Sequence, residues 1–219
     1  MEGFSVKRFL IIAVALWAAA ALSAADPEKS AVKISYVVFA NNPEGVSEAT
    51  LGWGSGTVVH SAGGKSLILT NRHVCPNASG HPFVLVGTKS YPAEWVAADD
   101  VADLALVRIP FELPAVEVAD AEPEEGTTLR QWGYSLRGPL KAKSGPIVGT
   151  VRFRKDDGPK VEALLTGIEV EPADSGAGVF GPDGRLVAVA FAAGRPSDGP
   201  LREHCVRLAD VKRFLSRHR

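Results

Sequence analysis

Beyond residue 30 the chain alternates short apolar, β-branched runs with clusters of turn residues. Residues 31–40 (AVKISYVVFA) are partly alternating and rich in Val and Ile, which predicts a strand. Asn41-Asn42-Pro43-Glu44-Gly45 reads as a turn. Residues 51–60 (LGWGSGTVVH) bend through glycines into a second strand, and Ser61-Ala62-Gly63-Gly64-Lys65 makes a hairpin turn. Residues 66–70 (SLILT) form a short, fully apolar strand that delivers the chain into Asn71-Arg72-His73. Residues 83–86, 90–97 and 104–109 read as three more strands. A second set follows at 128–134, 146–154, 160–168, 179–180, 185–192 and 203–206. Between the two sets, residues 110–126 are rich in proline and acidic side chains and have no period, so they are expected to connect two lobes. In residues 208–217, Leu208, Val211, Phe214 and Leu215 fall at helical spacing, so the chain should end on an amphipathic helix.

Many short strands and one convincing helix predict an all-β barrel or sandwich. The 219 residues suit one domain or two small lobes sharing a site, and the hydrophobic fraction of 46 % is enough for a real core. Twenty-two glycines and fifteen prolines fit strands joined by turns. The formal net charge of −1 calls for neither nucleic acid nor an anionic membrane surface as partner.

The first 25 residues have the layout of a secretory signal. Lys7-Arg8 is followed by an apolar run from Phe9 to Leu22 and by Ser23-Ala24-Ala25, with the cut expected after Ala25. The run is short for a membrane span, which needs about 20 apolar residues. The exported chain is therefore expected to be periplasmic or secreted, with no stable membrane span, and residues 26–30 are expected to be a flexible lead. Export permits a disulfide between Cys75 and Cys205, whose separation the sequence does not give. No Cys/His cluster has zinc-ligand spacing, so neither metal nor other cofactor is expected.

Three segments carry candidate chemistry. His73 follows an apolar strand and lies in a turn. Asp103 stands at the mouth of the apolar strand 104–109, where a carboxylate can be held dry beside an imidazole, accept Nδ1–H and leave Nε2 free as a base. Asp99 and Asp100 compete for that role, but neither abuts the strand. Ser175 sits in the tight turn Asp174-Ser175-Gly176, which can expose a hydroxyl and aim two backbone N–H groups at one point. Asp-Ser-Gly alone is ordinary turn composition. The order His, Asp, Ser in the contexts strand-His, Asp-strand and turn-Ser-Gly-strand is what points to nucleophilic catalysis. The same order argues against an α/β-hydrolase, where the serine comes first on a Gly-x-Ser-x-Gly elbow.

Gly54-Ser55-Gly56-Thr57-Val58-Val59, residues 67–74 (LILTNRHV), residues 103–107 (DLALV) and Asp174-Ser175-Gly176 together resemble the trypsin-like, chymotrypsin-fold serine peptidases. Within these the chain is most similar to the HtrA/Deg-type protease domain, over roughly residues 31–215. The resemblance implies two six-stranded antiparallel β-barrels with a C-terminal helix, here divided as 26–115 and 116–219, with the site in the cleft between them. It implies Ser175 as nucleophile, His73 as general base and acid, and Asp103 as orienting carboxylate. The backbone N–H groups of Ala173 and Ser175 would form the oxyanion hole. Glu169 falls near the base of a specificity pocket and Phe191 and Ala193 along its wall, and a buried Glu169 would select basic side chains. Substrates would be proteins or peptides, and oligomeric state is not readable.

The chain departs from the family at two sites. Ala173 and Ala177 stand where glycine is usual, and the sign of φ at residue 173 decides whether the alanine is strained. Asp174 stands where digestive relatives pair an aspartate with a newly cut N-terminus. No matching N-terminal sequence follows residue 25, so Asp174 either finds another partner or simply caps local N–H groups, and no trypsin-like zymogen activation is expected. Nor is a PDZ domain of the HtrA kind expected in a chain ending at Arg219. The alternative function is a catalytically silent trypsin-like fold acting as a protein-binding module.

Overall fold

A computed structural model describes residues 26–41, 47–154, 160–194 and 202–218. The signal-like segment and all but Asn41 of the turn expected at 41–45 lie outside the described residues. The expected flexible lead is instead a short helix, α1 (Pro27–Ser30). Asp26 caps it by accepting from Glu28 N, and proline opens it, where its missing N–H costs nothing.

The N-terminal lobe contains β1 (Ala31–Asn41), β2 (Ser47–Ala62), β3 (Lys65–Asn71), β4 (His81–Val86), β5 (Lys89–Pro92), β6 (Glu94–Asp99) and β7 (Leu104–Ile109). They form one seven-stranded antiparallel sheet in the order β5-β4-β1-β2-β3-β7-β6. The run 90–97, expected as one strand, is split at Ala93, whose N–H donates to Pro82 O at 2.8 Å. Since β5 and β6 are the two edges yet are joined by that single residue, the sheet must curl until its edges meet. This lobe is therefore a curled open sheet of seven strands where the resemblance implied a closed six-stranded barrel. The C-terminal lobe is a closed six-stranded barrel, in the order β10-β13-β12-β11-β8-β9. Its strands are β8 (Thr128–Gly133), β9 (Lys141–Arg154), β10 (Lys160–Thr166), β11 (Gly178–Phe180), β12 (Leu186–Gly194) and β13 (Arg202–Arg207). Helix α2 (Leu208–Leu215) follows and buries the four apolar residues its spacing predicted.

The fully apolar strands have a packing reason. On β3 and β7 successive side chains point to opposite faces, and both faces are covered. Leu67, Leu69, Leu104 and Leu106 pack against Phe180, Leu186 and Val189 of the barrel and Val211, Phe214 and Leu215 of α2. Ile68, Ala105, Val107 and Ile109 face the other way, onto Val32, Ile34, Tyr36 and Val58 inside the first lobe. The two lobes thus share one apolar interface, and burial of this kind contributes about 25 cal/mol per Å2 of apolar surface. The connection is stitched to both lobes: Val116 N donates to Val58 O at 2.9 Å, and Leu186 N to Glu117 O at 2.8 Å.

Candidate active site

His73 lies just past β3 and Asp103 just before β7, and the β3–β7 ladder pairs Asn71 with Leu104. Strand pairing therefore sets these two ends side by side. The Asp103 carboxylate is nearly sealed from solvent, with a side chain 4 % exposed against 41 % for His73. Oδ2 lies 2.7 Å from His73 Nδ1, and Oδ1 accepts from the His73 backbone N–H at 3.1 Å. With Nδ1–H given to the carboxylate, the Nε2 lone pair is free. Asp103 itself has φ 55, left-handed backbone that aspartate tolerates better than most residues. Its carbonyl is held by Asn71 Nδ2 at 2.9 Å and Arg72 N at 3.1 Å. The competing acids are occupied elsewhere. Asp99 caps its own turn by accepting from Val101 N and Ala102 N, and Asp100 pairs with Arg72.

Ser175 lies in the second of two turns that overlap at Asp174. Asp174 N donates to Glu171 O at 3.1 Å, closing a turn with Pro172 and Ala173 at its centre, and Ala173 has φ 74. Proline first and positive φ second is the type II pattern, which favours glycine at the second place. The alanine is therefore strained, by about 1–2 kcal/mol for a residue forced left-handed. Ala177 N donates to Asp174 O at 2.8 Å, closing the next turn, where Gly176 has φ 87. No alanine fits there: a Cβ on Gly176 would lie 2.1 Å from Ser55 O.

The Pro172 carbonyl accepts from Leu136 N at 2.6 Å. In a trans peptide the N–H opposes the C=O, so Ala173 N–H points away from Leu136. Among the described residues neither Ala173 N–H nor Ser175 N–H finds a protein acceptor. Two open donors thus flank the serine. The Ser175 hydroxyl donates to Phe191 O at 3.5 Å, a long bond.

The first lobe grips this turn through Ser55. Its Oγ donates to Ala173 O at 2.9 Å, and its N–H donates to Ser175 O at 2.8 Å. The neighbouring glycine permits the approach, since a Cβ on Gly54 would meet Val74 at 2.6 Å and Ser175 O at 2.9 Å. These glycines are not a bend leading into a strand, as the sequence suggested, but part of β2 itself.

Asp174 is buried at 1 % exposure. Ser135 Oγ donates to its Oδ1 at 2.6 Å, while Lys143 Nζ at 2.7 Å and Glu171 N at 2.8 Å donate to Oδ2. The partner that the sequence left open is thus Lys143, on β9. Burial pulls its ammonium pKa down, but the hydrogen bonds and charges of Asp174 and Glu171 outweigh it and the net shift is upward.

The residues expected at a specificity pocket fare differently. Glu169 is exposed and offers its carbonyl to Lys143 Nζ at 3.2 Å, so it is not a buried pocket base. The buried acid in this part of the barrel is Glu203, at 0 % exposure, which pairs across the sheet with Thr166 and with Ala193. Phe191 lines a small cavity with Val101, Asp103, Val161 and Val206. The side chain of Ala193 lies outside the described residues. The permitted bridge between Cys75 and Cys205 is not formed: both are free thiols, one in the core of each lobe. Sequence reasoning missed the roles of Ser55, Ser135, Lys143 and Glu203; apart from the Cys205 thiol two positions from Glu203, their side-chain partners are distant in the chain and leave no local signature. Among the described residues no three potential metal ligands cluster, and no helix is long and apolar enough to cross a membrane.

A curled β-sheet lobe, a closed β-barrel lobe and a C-terminal helix meeting along one apolar interface define a chymotrypsin-like fold. The chain belongs to the trypsin-like peptidase domain family, whose model matches residues 54–189. It is 25 % identical over 148 residues to the putative serine protease HhoA of Synechocystis, covering 64 % of this chain and 37 % of that protein. It is 29 % identical over 171 residues to the mitochondrial serine protease HTRA2 of Bos taurus, covering 74 % and 36 %. The chain therefore spans about a third of the length of these relatives. The active form of the Rv3671c protease from M. tuberculosis superposes with a TM-score of 0.71 at 23 % identity, covering 88 % of this chain and 82 % of that one. The HtrA-type protease AlgW with tripeptide gives 0.68 at 19 %, covering 86 % and 60 %.

Proposed function

We infer that the chain is an exported serine endopeptidase that hydrolyses peptide bonds through an acyl-enzyme. The observation that carries this reading is the sealed Asp103 carboxylate, which holds His73 by both ring and backbone at 2.7 and 3.1 Å. Asp103 fixes the tautomer, so Nε2 takes the Ser175 proton as Oγ attacks the substrate carbonyl. The open N–H groups of Ala173 and Ser175 receive the developing oxyanion. The imidazolium returns the proton to the leaving amine, the ester forms, and water deprotonated by the same Nε2 releases the acid product. The 3.5 Å bond from Ser175 to Phe191 O is weak enough to give way to the imidazole. Export rests on the signal-like first 25 residues and on relatives such as the periplasmic endoprotease DegQ of Escherichia coli, 23 % identical over 165 residues.

A fluorophosphonate probe tests the proposal on folded protein. One adduct on Ser175 is expected, none in Ser175→Ala, and peptide turnover about 10^4-fold or more lower in His73→Ala. A folded wild-type protein that takes no label and cleaves no peptide would instead be the binding module.

A further inference from the structure

We propose that Lys143 is a positioning residue for the reaction, the built-in cation that sets the anion-binding turn before Ser175. The proposal rests on the peptidase reading. Its geometry is confined to one segment. A single ammonium, on a side chain only 13 % exposed, meets Asp174 Oδ2 at 2.7 Å and Glu171 Oε2 at 2.8 Å. It also donates to the Glu169 carbonyl at 3.2 Å. Its three donors are thus spent on three points of residues 169–174, the stretch that ends at the nucleophile.

The turn needs such a clamp for two reasons. Asp174 is buried, and a buried carboxylate without a cation is strongly unfavourable, so loss of the ammonium would drive the carboxylate toward water. Asp174 cannot move alone. Its N–H closes the turn containing Ala173, and its carbonyl closes the turn containing Ser175 and Gly176. The first of these is already strained by φ 74 at Ala173. Rotation of Asp174 would therefore carry the Ala173 and Ser175 N–H groups away from their common target. Lys143 touches neither of those N–H groups nor the Ser175 hydroxyl, so it acts on the reaction only through the turn. Because the cation comes from β9 of the same chain, the turn is set without cutting the chain to create a new ammonium.

The test compares Lys143→Met, Lys143→Arg and wild type, using the full chain, peptide turnover and amide hydrogen exchange. Removing one oxyanion donor typically lowers kcat about 10^2–10^3-fold. Lys143→Met is expected to lower kcat at least about 50-fold, within that effect's reach, with KM within about two-fold. Lys143→Arg is expected to restore most of kcat, because it keeps the charge. Exchange of the Gly176 and Ala177 amides, both hydrogen-bonded in the structure, should speed up in Lys143→Met while that of β3 does not. A kcat within about two-fold of wild type, whatever happens to Tm, overturns the proposal. So does a loss that appears in KM alone, or one that arginine does not restore. Should the methionine variant fail to fold, Lys143→Gln carries the same expectations. If wild type itself proves inactive, the peptidase reading has failed; unchanged exchange at Gly176 and Ala177 would then separately refute the clamp.

Discussion

Glu203 makes the packing behind the serine turn measurable. Its carboxyl is sealed, and only Oε2 has partners: Thr166 Oγ1 at 3.2 Å and Cys205 Sγ at 3.4 Å. Oε1 has none among the described residues. Burial pushes the pKa from 4.5 to about 8, against the smaller opposing pull of the two hydrogen bonds. Folded protein therefore keeps a proton, between pH 4.5 and about 8, that the unfolded chain has released. The stability this group contributes is fully present below pH 4.5 and is lost as pH rises through about 8. At about 1.4 kcal/mol per pH unit, that window amounts to a loss on the order of 5 kcal/mol. Glu203→Gln keeps the shape and removes the titration. Urea unfolding of both proteins at pH 5, 6.5 and 8 isolates the effect, because every other titrating group is common to both. Wild type should lose several kcal/mol relative to the glutamine variant between pH 5 and 8. Parallel curves, agreeing within about 1 kcal/mol, would refute the reasoning and mean that the carboxylate is charged in the folded protein.

Two further outcomes follow from single residues. Ala173→Gly relieves the left-handed strain of about 1–2 kcal/mol and gives back about 0.4–1 kcal/mol through the unfolded chain, so Tm should rise by about 1–4 °C; a fall of more than a degree in calorimetry would show that the alanine is not strained. Burial pushes the Cys75 thiol up to about 12 and the Cys205 thiol up as well, so native protein at pH 8 should resist iodoacetamide. After denaturation without reductant it should gain two adducts by mass, and gaining none would mean a bridge.

The sequence by itself determined the elements and their chemistry-bearing ends. The apolar runs of β3 and β7, the helical spacing of α2 and the His-Asp-Ser order are all local patterns, and local patterns survive in one dimension. A histidine just past one strand and an aspartate just before another could be named because antiparallel pairing of neighbours is a short-range rule. Tertiary structure decided the rest. It closed the second lobe into a barrel and curled the first, whose edge strands β5 and β6 are joined at Ala93 but are not paired with each other. It showed where the competing acids go: Asp99 caps its own turn and Asp100 pairs with Arg72, while Asp103, which the sequence favoured for abutting its strand, meets His73. It gave Ala173 a positive φ, replaced Glu169 by Glu203 as the buried acid, and supplied Lys143 to Asp174 from 31 positions away. Each of these depends on which side chains the folded backbone excludes from water and brings within bonding distance, and burial and long-range contact leave no mark in the sequence around a residue.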